Sequence, residues 1–267
     1  MMSLEGKRVL ITGGGQGMGR TIAEAFAERG ASLVLADINE EALRETTETL
    51  RQAGREVDSR FVDVTDAESL QALRTHLQHH VGPVDILVNN AGVVYGGDFL
   101  KVPLERHKLT YDVNVTGLTN VAWVFLPDLL ERPEARIVNI ASASSLVGLP
   151  YGASYCASKW AALGFSESLR LELQENGHEH VKVTAICPSY INTGMFEGVE
   201  TPRLTRMLEP DALAVKIVRA TARGDAALME PFMVKLTPLL KLLPVRLLDS
   251  IGRLLGVTTS MKHWQGH

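Results

Sequence analysis

Tyr155, Lys159 and Ser142 are the residues whose types and spacing predict chemistry most directly. Tyr155 and Lys159 are four positions apart, so on a helix their side chains lie on the same face. An ammonium group beside a phenol stabilises the phenolate, and we therefore expect Lys159 to lower the pKa of Tyr155 from its ordinary value of about 10. A Tyr/Lys pair alone is usually a solvated helix face. Ser142 lies in a serine-rich turn after the fifth predicted strand, and together with the glycine-rich turn and Asp37 described below the set predicts proton transfer by Tyr155.

A glycine-rich turn predicts a phosphate-binding site. Residues 12–19 read TGGGQGMG, directly after the first predicted strand and at the start of a helix that should end near Arg29. Glycines let the backbone approach a pyrophosphate, and the N–H groups and dipole of a helix N-terminus favour its charge. Glycine clusters also form purely structural turns, but the order strand, turn, helix favours a dinucleotide. The expected contacts are Gly13, Gln16, Gly17, Met18 and Gly19.

Asp37 predicts which dinucleotide binds. It ends the second predicted strand roughly twenty residues beyond the glycines, where a carboxylate accepts hydrogen bonds from both ribose hydroxyls of the adenosine half. A 2′-phosphate would meet like charge there, and no Arg or Lys lies among Gly14, Gly15 and Gln16 to neutralise it. The sequence therefore favours NAD, with Ile38 beside the adenosine. The alternative is that Asp37 only caps the following helix.

Asp63 and Val64, after the third predicted strand, are candidates for the adenine site. The carboxylate can accept a hydrogen bond from the adenine amino group while Val64 packs on the ring. A turn at the start of a helix explains Asp63 nearly as well.

Short apolar segments alternate with helical patterns from Arg8 to about Pro188, which is the βαβ order of a parallel sheet covered by helices on both faces. Most strand residues are apolar, as in strands buried on both sides. We predict an α/β fold in which a single doubly wound Rossmann-type domain spans residues 1–267, with a mostly parallel central sheet. Its ligands should lie beyond the carboxyl ends of the strands. The predicted strands are Arg8–Thr12, Ser32–Asp37, Val57–Val62, Val84–Val88, Arg136–Ile140 and Val181–Ile186.

Helix boundaries are also readable. Asn39 should cap a helix that ends near Gly54, and Asp66 should cap the next one. A later helix, Ser154–Glu175, should stop at Asn176-Gly177.

The motifs resemble those of the short-chain dehydrogenases/reductases over nearly the whole chain, and Ser142 lies at that family's usual interval before the tyrosine. The family pattern T-G-x-x-x-G-x-G falls on Thr12, Gly13, Gly17 and Gly19, N-N-A-G falls on Asn89, Asn90, Ala91 and Gly92, and Y-x-x-x-K falls on Tyr155 and Lys159.

This resemblance implies roles for further residues. Asn114 would be a fourth catalytic residue that holds a water linking the lysine to solvent, and Lys159 would also hold the nicotinamide ribose. Ser142 would hydrogen-bond the substrate oxygen while Tyr155 removes the hydroxyl proton and the hydride passes to the nicotinamide. Asn90, Ala91 and Gly92 would contact the cofactor.

The segment after the sixth strand resembles the family turn P-G-x-(V/I)-x-T. It implies that Pro188, Ile191 and Thr193 contact the cofactor, the last two through the nicotinamide carboxamide. Ser189 stands where the family usually has glycine, so the local backbone is expected to differ without loss of cofactor binding.

Residues 190–210 should form a mobile lid over the substrate. Five apolar or aromatic side chains are candidates for the wall of an apolar substrate pocket, although each could equally belong to the core. The candidates are Tyr95, Leu146, Tyr151, Met195 and Phe196.

The C-terminal extension, residues 232–267, predicts two amphipathic helices. Leucines recur on both sides of Pro244, interleaved with Lys and Arg. Three roles stay open: packing on the domain or on a neighbouring subunit, a lid over a lipid-like substrate, and contact with a membrane surface. The extension and the residues around Tyr155 and Pro188 resemble the retinol and hydroxysteroid dehydrogenase branch, which implies an apolar alcohol or ketone as substrate.

Composition excludes several function classes. The formal charge of −4 gives no overall attraction for nucleic acid. Two cysteines without metal-ligand spacing predict no zinc site or disulfide framework and suit a reducing compartment. No segment approaches the roughly 20 apolar residues of a spanning helix, and no apolar stretch follows the first basic residues. We therefore expect a cytoplasmic protein, and the family resemblance implies a homodimer or homotetramer.

Rival functions remain at this point. A 3-oxoacyl-type carbonyl reductase would use the same catalytic set, but it would favour NADPH, against which Asp37 argues. A non-catalytic NAD-binding regulatory protein would not need the intact set of Ser142, Tyr155 and Lys159. A peripheral membrane scaffold built on the C-terminal extension is the third alternative.

Overall fold

The computed structural model describes residues 1–203 and 205–264, and its centre is a seven-stranded sheet with the order β3-β2-β1-β4-β5-β6-β7. All neighbouring strands pair in parallel. The strands are β1 (Arg8–Thr12), β2 (Ser32–Asp37), β3 (Val57–Phe61), β4 (Ile86–Asn89), β5 (Ala135–Ile140), β6 (Val181–Pro188) and β7 (Ala227–Glu230).

Helices cover both faces of this sheet. They are α1 (Gly17–Ala27), α2 (Glu40–Gln52), α3 (Ala67–His76), α4 (Leu104–Tyr111), α5 (Leu118–Leu130), α6 (Ala153–Glu175), α7 (Pro210–Arg223), α8 (Phe232–Leu240) and α9 (Val245–Leu254). The predicted caps are confirmed, since the side chains of Asn39 and Asp66 accept hydrogen bonds from the backbone N–H groups of Ala42 and Glu68.

The predicted doubly wound fold is confirmed. The strand order reverses between β1 and β4, so the loops at their carboxyl ends diverge and leave a crevice. The central strands β1, β2 and β4 are almost completely buried. The crevice, where the glycine-rich turn and the end of β4 meet, is therefore the place for a ligand.

Several strand bounds differ from the predicted ones by one or two residues, and two strands depart from the prediction in kind. Strand β7 was not predicted, because it is four residues long, partly exposed and directly followed by Pro231. Strand β3 was predicted to be buried on both sides, yet its second half is exposed because β3 is the edge of the sheet. Its sequence VDSRF is accordingly more polar than that of the central strands.

One continuous helical segment, Leu104–Leu130, is long and apolar enough to cross a membrane by length and composition, contrary to the expectation from sequence. It consists of α4, a π-helical segment (Asp112–Gly117) and α5. The side chains of Val121, Phe125 and Leu129 are almost completely buried against the sheet. This packing in the core accounts for its hydropathy.

The C-terminal extension forms the two predicted helices, α8 and α9, separated by a turn that ends at Pro244. A 3₁₀ turn (Val257–Thr259) then returns the chain to the domain, where Met261 is fully buried.

Candidate active site

The glycine-rich turn has a shape that side chains would prevent. A Cβ atom added at Gly19 would lie 1.8 Å from the carbonyl oxygen of Gly13, so the first turn of α1 can pack on the loop only without a side chain there. Gly13 has a φ of +62° and packs against Ala91. The turn thus approaches the end of β4 closely, and its N–H groups are left for a ligand.

Thr12 and Asn90 fasten this turn to the end of β4. The Thr12 hydroxyl accepts hydrogen bonds from the N–H groups of Asn90 and Ala91 at 3.1 and 3.2 Å. The Asn90 amide in turn donates to the carbonyl oxygens of Thr12 and Gly13 at 3.0 and 2.9 Å. The N-N-A-G motif therefore holds the two loops of the crevice together.

Asp37 is buried at the end of β2, and both of its carboxylate oxygens accept backbone hydrogen bonds. The donors are the N–H groups of Gly15 and Asn39, each at 2.9 Å. Asp37 thus supports the glycine-rich turn and the residue before α2, it lines the central cavity, and the cap of α2 is Asn39 rather than Asp37.

Asp63 serves the turn that precedes α3. One of its oxygens accepts hydrogen bonds from the N–H and the hydroxyl of Thr65 at 2.8 and 2.7 Å. Asp63 and Val64 nevertheless line the cavity, and Val64 also packs on Gly117, where an added Cβ would lie 2.7 Å away. Both alternatives considered for Asp63 are therefore compatible with its position.

Tyr155 and Lys159 lie one turn apart on α6 and are both buried beside the cavity. The Lys159 Nζ atom is 5.8 Å from the centre of the Tyr155 ring and donates a hydrogen bond to the carbonyl oxygen of Ile140 at 2.9 Å. The end of β5 thus fixes the ammonium group beside the phenol.

Ser142 lies in the turn after β5, and Ser145 fixes that turn to α6. The Ser145 hydroxyl accepts a hydrogen bond from the N–H of Ser142 at 3.2 Å and donates one to the carbonyl oxygen of Lys159 at 2.7 Å. Cys156 adds a hydrogen bond from its thiol to the carbonyl oxygen of Ser144. These contacts place Ser142 beside Tyr155.

The expected lowering of the Tyr155 pKa by Lys159 does not occur in this structure. Burial raises the pKa of Tyr155 above its usual range, and the nearby Ser142 side chain opposes this only in part. Burial likewise lowers the pKa of Lys159 to about 8. The expectation was wrong because it took account of the neighbouring charge and not of the loss of water around both groups.

Asn114 lies in the π-helical segment between α4 and α5 and is buried. Its carbonyl oxygen accepts a hydrogen bond from the N–H of Val93 at 2.8 Å, while its amide group donates to the Val93 carbonyl and to the Ser158 hydroxyl. An added Cβ at Gly92 would lie within 3.5 Å of both the Asn114 oxygen and Lys159 Nζ. Asn114 thus fixes the chain next to the lysine.

A cavity of about 820 Å³ joins these groups. It extends from the glycine-rich turn past Tyr155 to the C-terminal helices. Most of the predicted cofactor residues line it: Gly13, Gln16, Gly17, Met18, Asp37, Ile38, Asp63, Val64, Asn90, Ala91, Gly92, Tyr155, Lys159, Pro188, Ile191 and Thr193. Gly19 lies beneath the turn instead, where it allows α1 to approach.

Of the five candidates for the substrate pocket, Met195 and Phe196 line the cavity and three do not. Leu146 packs in the core with residues of α5 and α6. Tyr95 accepts a hydrogen bond from Arg106, whose guanidinium lies over its ring. Tyr151, which has a φ of 64°, is partly buried and packs against the apolar cluster that contains Tyr155. The aromatic or aliphatic character of these residues did not show whether each side chain faces the cavity or packs elsewhere.

Residues between Tyr190 and Arg203, together with Thr205, contribute to the cavity wall, and the C-terminal segment contacts several of them. Phe196 lies edge-on against both Tyr155 and Tyr190, with ring centres 6.2 and 5.3 Å apart. The Tyr190 hydroxyl hydrogen-bonds the Ser260 hydroxyl at 2.7 Å, and Trp264 donates to the carbonyl oxygen of Met195 at 3.0 Å. The extension thus packs on the domain.

Comparison with known proteins decides the family. The family model described as short chain dehydrogenase matches residues 7–203. The chain belongs to the short-chain dehydrogenase family.

Its relatives include epidermal retinol dehydrogenase 2 of Mus musculus, which is 38% identical over 96% of this chain and 84% of the relative. 17-beta-hydroxysteroid dehydrogenase 13 of Homo sapiens is 34% identical over 96% of this chain and 85% of the relative. A short-chain dehydrogenase/reductase from Burkholderia phymatum, solved in complex with NAD, is 29% identical, covers 97% of this chain and 98% of its own, and has a TM-score of 0.82.

As a short-chain dehydrogenase, the chain is an oxidoreductase that interconverts alcohols and carbonyl compounds with a nicotinamide cofactor. The cofactor supplies the hydride chemistry when bound. In this reaction we expect Tyr155 to hold the proton that the substrate oxygen gains or loses, and Ser142 to offer that oxygen a hydrogen bond. Lys159 provides the positive charge beside the phenol.

The dehydrogenase also relies on residues that sequence reasoning missed. Ser145 and Ser158 position Ser142 and Asn114, but isolated serines carry no signal that could have revealed this. Inner-face residues of α8 and α9 line the far end of the cavity: Met233, Val234, Thr237, Leu240, Leu248, Ile251 and Leu255. The helical spacing of these residues predicted that one face of each helix is buried, but it did not predict which part of the protein that face covers.

Ser189 of the dehydrogenase adopts a backbone that does not need glycine. Its N–H donates a hydrogen bond to the carbonyl oxygen of Glu230 at 2.8 Å, which extends the pairing of β6 with β7. In the described part of the chain, Tyr151 is the one non-glycine residue with a positive φ. The turn therefore still places Thr193 opposite Gly17, where an added Cβ would lie 3.8 Å from the threonine.

Proposed function

We propose that this short-chain dehydrogenase uses NAD(H) to interconvert a bulky apolar alcohol with its ketone or aldehyde. One observation carries the proposal: a single cavity of about 820 Å³ contains the glycine-rich turn at one end, Tyr155 in the middle and the inner faces of α8 and α9 at the other.

Asp37 supports the choice of NAD. Its carboxylate lies at the adenosine end of the cavity, held by two backbone hydrogen bonds that fix its position. Among the described residues that line this end, none is a Lys or Arg. A 2′-phosphate would therefore meet a negative charge without a compensating positive one, whereas ribose hydroxyls are good donors to a carboxylate.

The cavity wall supports an apolar substrate. Beyond Tyr155 the lining consists mainly of aliphatic and aromatic side chains, and the C-terminal helices supply much of it: Val147, Leu149, Phe196, Met233, Leu240, Leu248, Ile251 and Leu255. Apolar groups of a ligand gain free energy when such a wall removes them from water. Two relatives are named for retinol and for a hydroxysteroid, and we propose a lipid alcohol of this size as the substrate class.

The test is NAD⁺ and NADP⁺ reduction, followed by absorbance, with a panel of short, long-chain, retinoid and steroid alcohols. We expect turnover with NAD⁺ that increases with the apolar area of the alcohol. A preference for short polar alcohols would contradict the substrate class, and a preference for NADP⁺ would contradict the role of Asp37. Reduction of a 3-oxoacyl thioester with NADPH would favour the alternative function of a 3-oxoacyl-type carbonyl reductase.

We further propose that the enzyme is a cytoplasmic homodimer or homotetramer. Exposed aromatic residues on α4, α5 and α6 offer a face for a second copy, including Tyr111, Trp123 and Trp160, with 42, 74 and 42% exposure. Cys156 and Cys187 are buried free thiols, which suits a reducing compartment. Light scattering after gel filtration tests the oligomer, and a monomer at micromolar concentration would contradict it. Fractionation of cells tests the location.

A further inference from the structure

The helices α8 and α9 carry apolar side chains that face the cavity and others that face solvent. Their inner side lines the substrate end of the cavity, as described above. On α8, Phe232, Leu236 and Leu239 recur at intervals of four and three residues and so share a second face, away from the cavity. The phenylalanine and Leu239 are 67 and 65% exposed.

Exposed apolar side chains also occur in the turn after α8 and along α9. Leu242 is 82% exposed, Val245 71%, Leu247 48% and Leu254 67%. We call these four residues, with Phe232 and Leu239, the outer apolar surface. None of them lines the cavity. Large exposed apolar side chains grouped on one element mark a contact with another apolar phase.

Positive charge surrounds this surface. Arg246, Asp249, Ser250 and Arg253 share the polar face of α9 at helical spacing, and Lys235 is exposed on α8. Neither Arg246, Arg253 nor Lys235 forms an ion pair with a carboxylate among residues 1–203 and 205–264. Residues 232–267 contain five Lys or Arg and one Asp, whereas the whole chain has a formal charge of −4. The extension is thus basic on an otherwise acidic protein.

We propose that the α8–α9 extension docks on an anionic lipid bilayer, with the outer apolar surface in the headgroup region and the basic residues on the lipid phosphates. Amphipathic helices with an aliphatic face and Lys or Arg beside it bind such surfaces. Because the inner side of the same helices lines the cavity, docking brings the substrate end of the cavity next to the bilayer, in which apolar alcohols dissolve. The inference rests on the proposed function for the substrate class.

Charge favours a bilayer over a second copy of the chain as the occupant. In a twofold contact the same surface patch meets itself. Arg246, Arg253 and Lys235 of both copies would then lie in one interface, and like charges brought close together oppose association. Lys241, the remaining basic residue of the two helices, lies 3.8 Å from the centre of the Trp160 ring and ties the extension to α6 instead.

The test is co-sedimentation of the full chain, without substrate, with vesicles of phosphatidylcholine alone or mixed with phosphatidylserine. We expect binding to the mixed vesicles that weakens as salt is added. The triple variant Leu239→Ser/Leu242→Ser/Val245→Ser should bind at least about tenfold more weakly, since burial of one leucine side chain alone contributes about that factor. Leu100→Ser, at an equally apolar side chain that is 94% exposed elsewhere, is the matched control and should bind normally.

A charge variant separates the two contributions. Arg246→Gln/Arg253→Gln should lose the preference for phosphatidylserine while it keeps any residual binding to phosphatidylcholine. Circular dichroism and turnover of a soluble alcohol check that the variants fold, because none of the changed residues lines the cavity.

The outcomes distinguish the docking surface from the proposed function. Absence of vesicle binding by the unchanged protein, or equal binding by the triple variant, overturns the docking surface even where turnover of apolar alcohols is intact. A change of oligomeric state in the triple variant without a change in lipid binding assigns the surface to a second copy and also overturns it. Vesicle binding without turnover would instead contradict the proposed function alone.

Discussion

The Ser145 hydroxyl donates a hydrogen bond to the carbonyl oxygen of Lys159 over 2.7 Å and so joins the turn that carries Ser142 to the helix that carries the lysine. Because the Ser145 hydroxyl also accepts a hydrogen bond from the N–H of Ser142, one small side chain sets the distance between two parts of the active site. Its role is one of position, since it does not line the cavity.

Ser145→Ala should lower kcat by about tenfold and the free energy of unfolding by about 1–3 kcal/mol, because it leaves buried partners unpaired. Ser144→Ala is the matched control: the Ser144 hydroxyl is buried and has no hydrogen-bond partner among the described residues. Kinetics and denaturant unfolding of both variants check this. Equal effects at the two positions would contradict the positioning role.

Tyr155→Phe should lower kcat by a factor of about 10² to 10⁴, which is the usual contribution of a general acid or base. NADH affinity, measured by fluorescence titration, should change little, because the ring that packs on Phe196 is kept. Tyr190→Phe is the control, since it removes a hydroxyl that bonds to Ser260 instead. Retention of turnover by Tyr155→Phe would refute the assignment.

Asp37→Ala should raise the Kd for NADH by about tenfold or more, since it removes a charged acceptor for ribose hydroxyls. The ratio of NAD⁺ to NADP⁺ activity should fall as the like charge disappears. Asn39→Ala, which removes the cap of α2 and leaves the carboxylate, should not change that ratio. If Asp37→Ala lost activity with NAD⁺ and NADP⁺ equally, Asp37 would only support the glycine-rich turn and would not select the cofactor.

Alcohol oxidation should become faster with increasing pH. Oxidation needs Tyr155 without its proton, and because burial raises the pKa of Tyr155, the required form becomes more abundant across the neutral and mildly alkaline range. The slope of kcat/KM should approach about tenfold per pH unit. Carbonyl reduction uses the protonated phenol and should not increase over that range. Profiles in both directions from about pH 6 to about pH 10 test this sign.

Gly19→Ala should abolish cofactor binding or folding, because the new Cβ would lie 1.8 Å from a backbone oxygen. Gly164→Ala, in α6 with open space around the site, should instead raise the free energy of unfolding by about 0.5–1 kcal/mol. Thermal unfolding with and without NADH compares the two. Normal behaviour of Gly19→Ala would contradict the close approach of α1.

Local features are what the sequence by itself determined. The glycine-rich turn, the caps at Asn39 and Asp66, the strands of the sheet centre and the spacing of Tyr155 and Lys159 depend on neighbouring residues and on the periodicity of strands and helices. The order of these motifs along the chain was enough to predict the fold, the nicotinamide cofactor and the crevice in which it binds.

Only the tertiary structure decided which apolar side chains face the cavity, since Leu146 and Met195 look alike in sequence and only packing separates core from pocket wall. It also brought Ser145 against Lys159 and assigned β7 to the edge of the sheet. The pKa of Tyr155 differs from expectation for the same reason. This pKa depends on how completely the fold removes water from the phenol. The removal of water is a property of packing, which spacing along the chain does not contain.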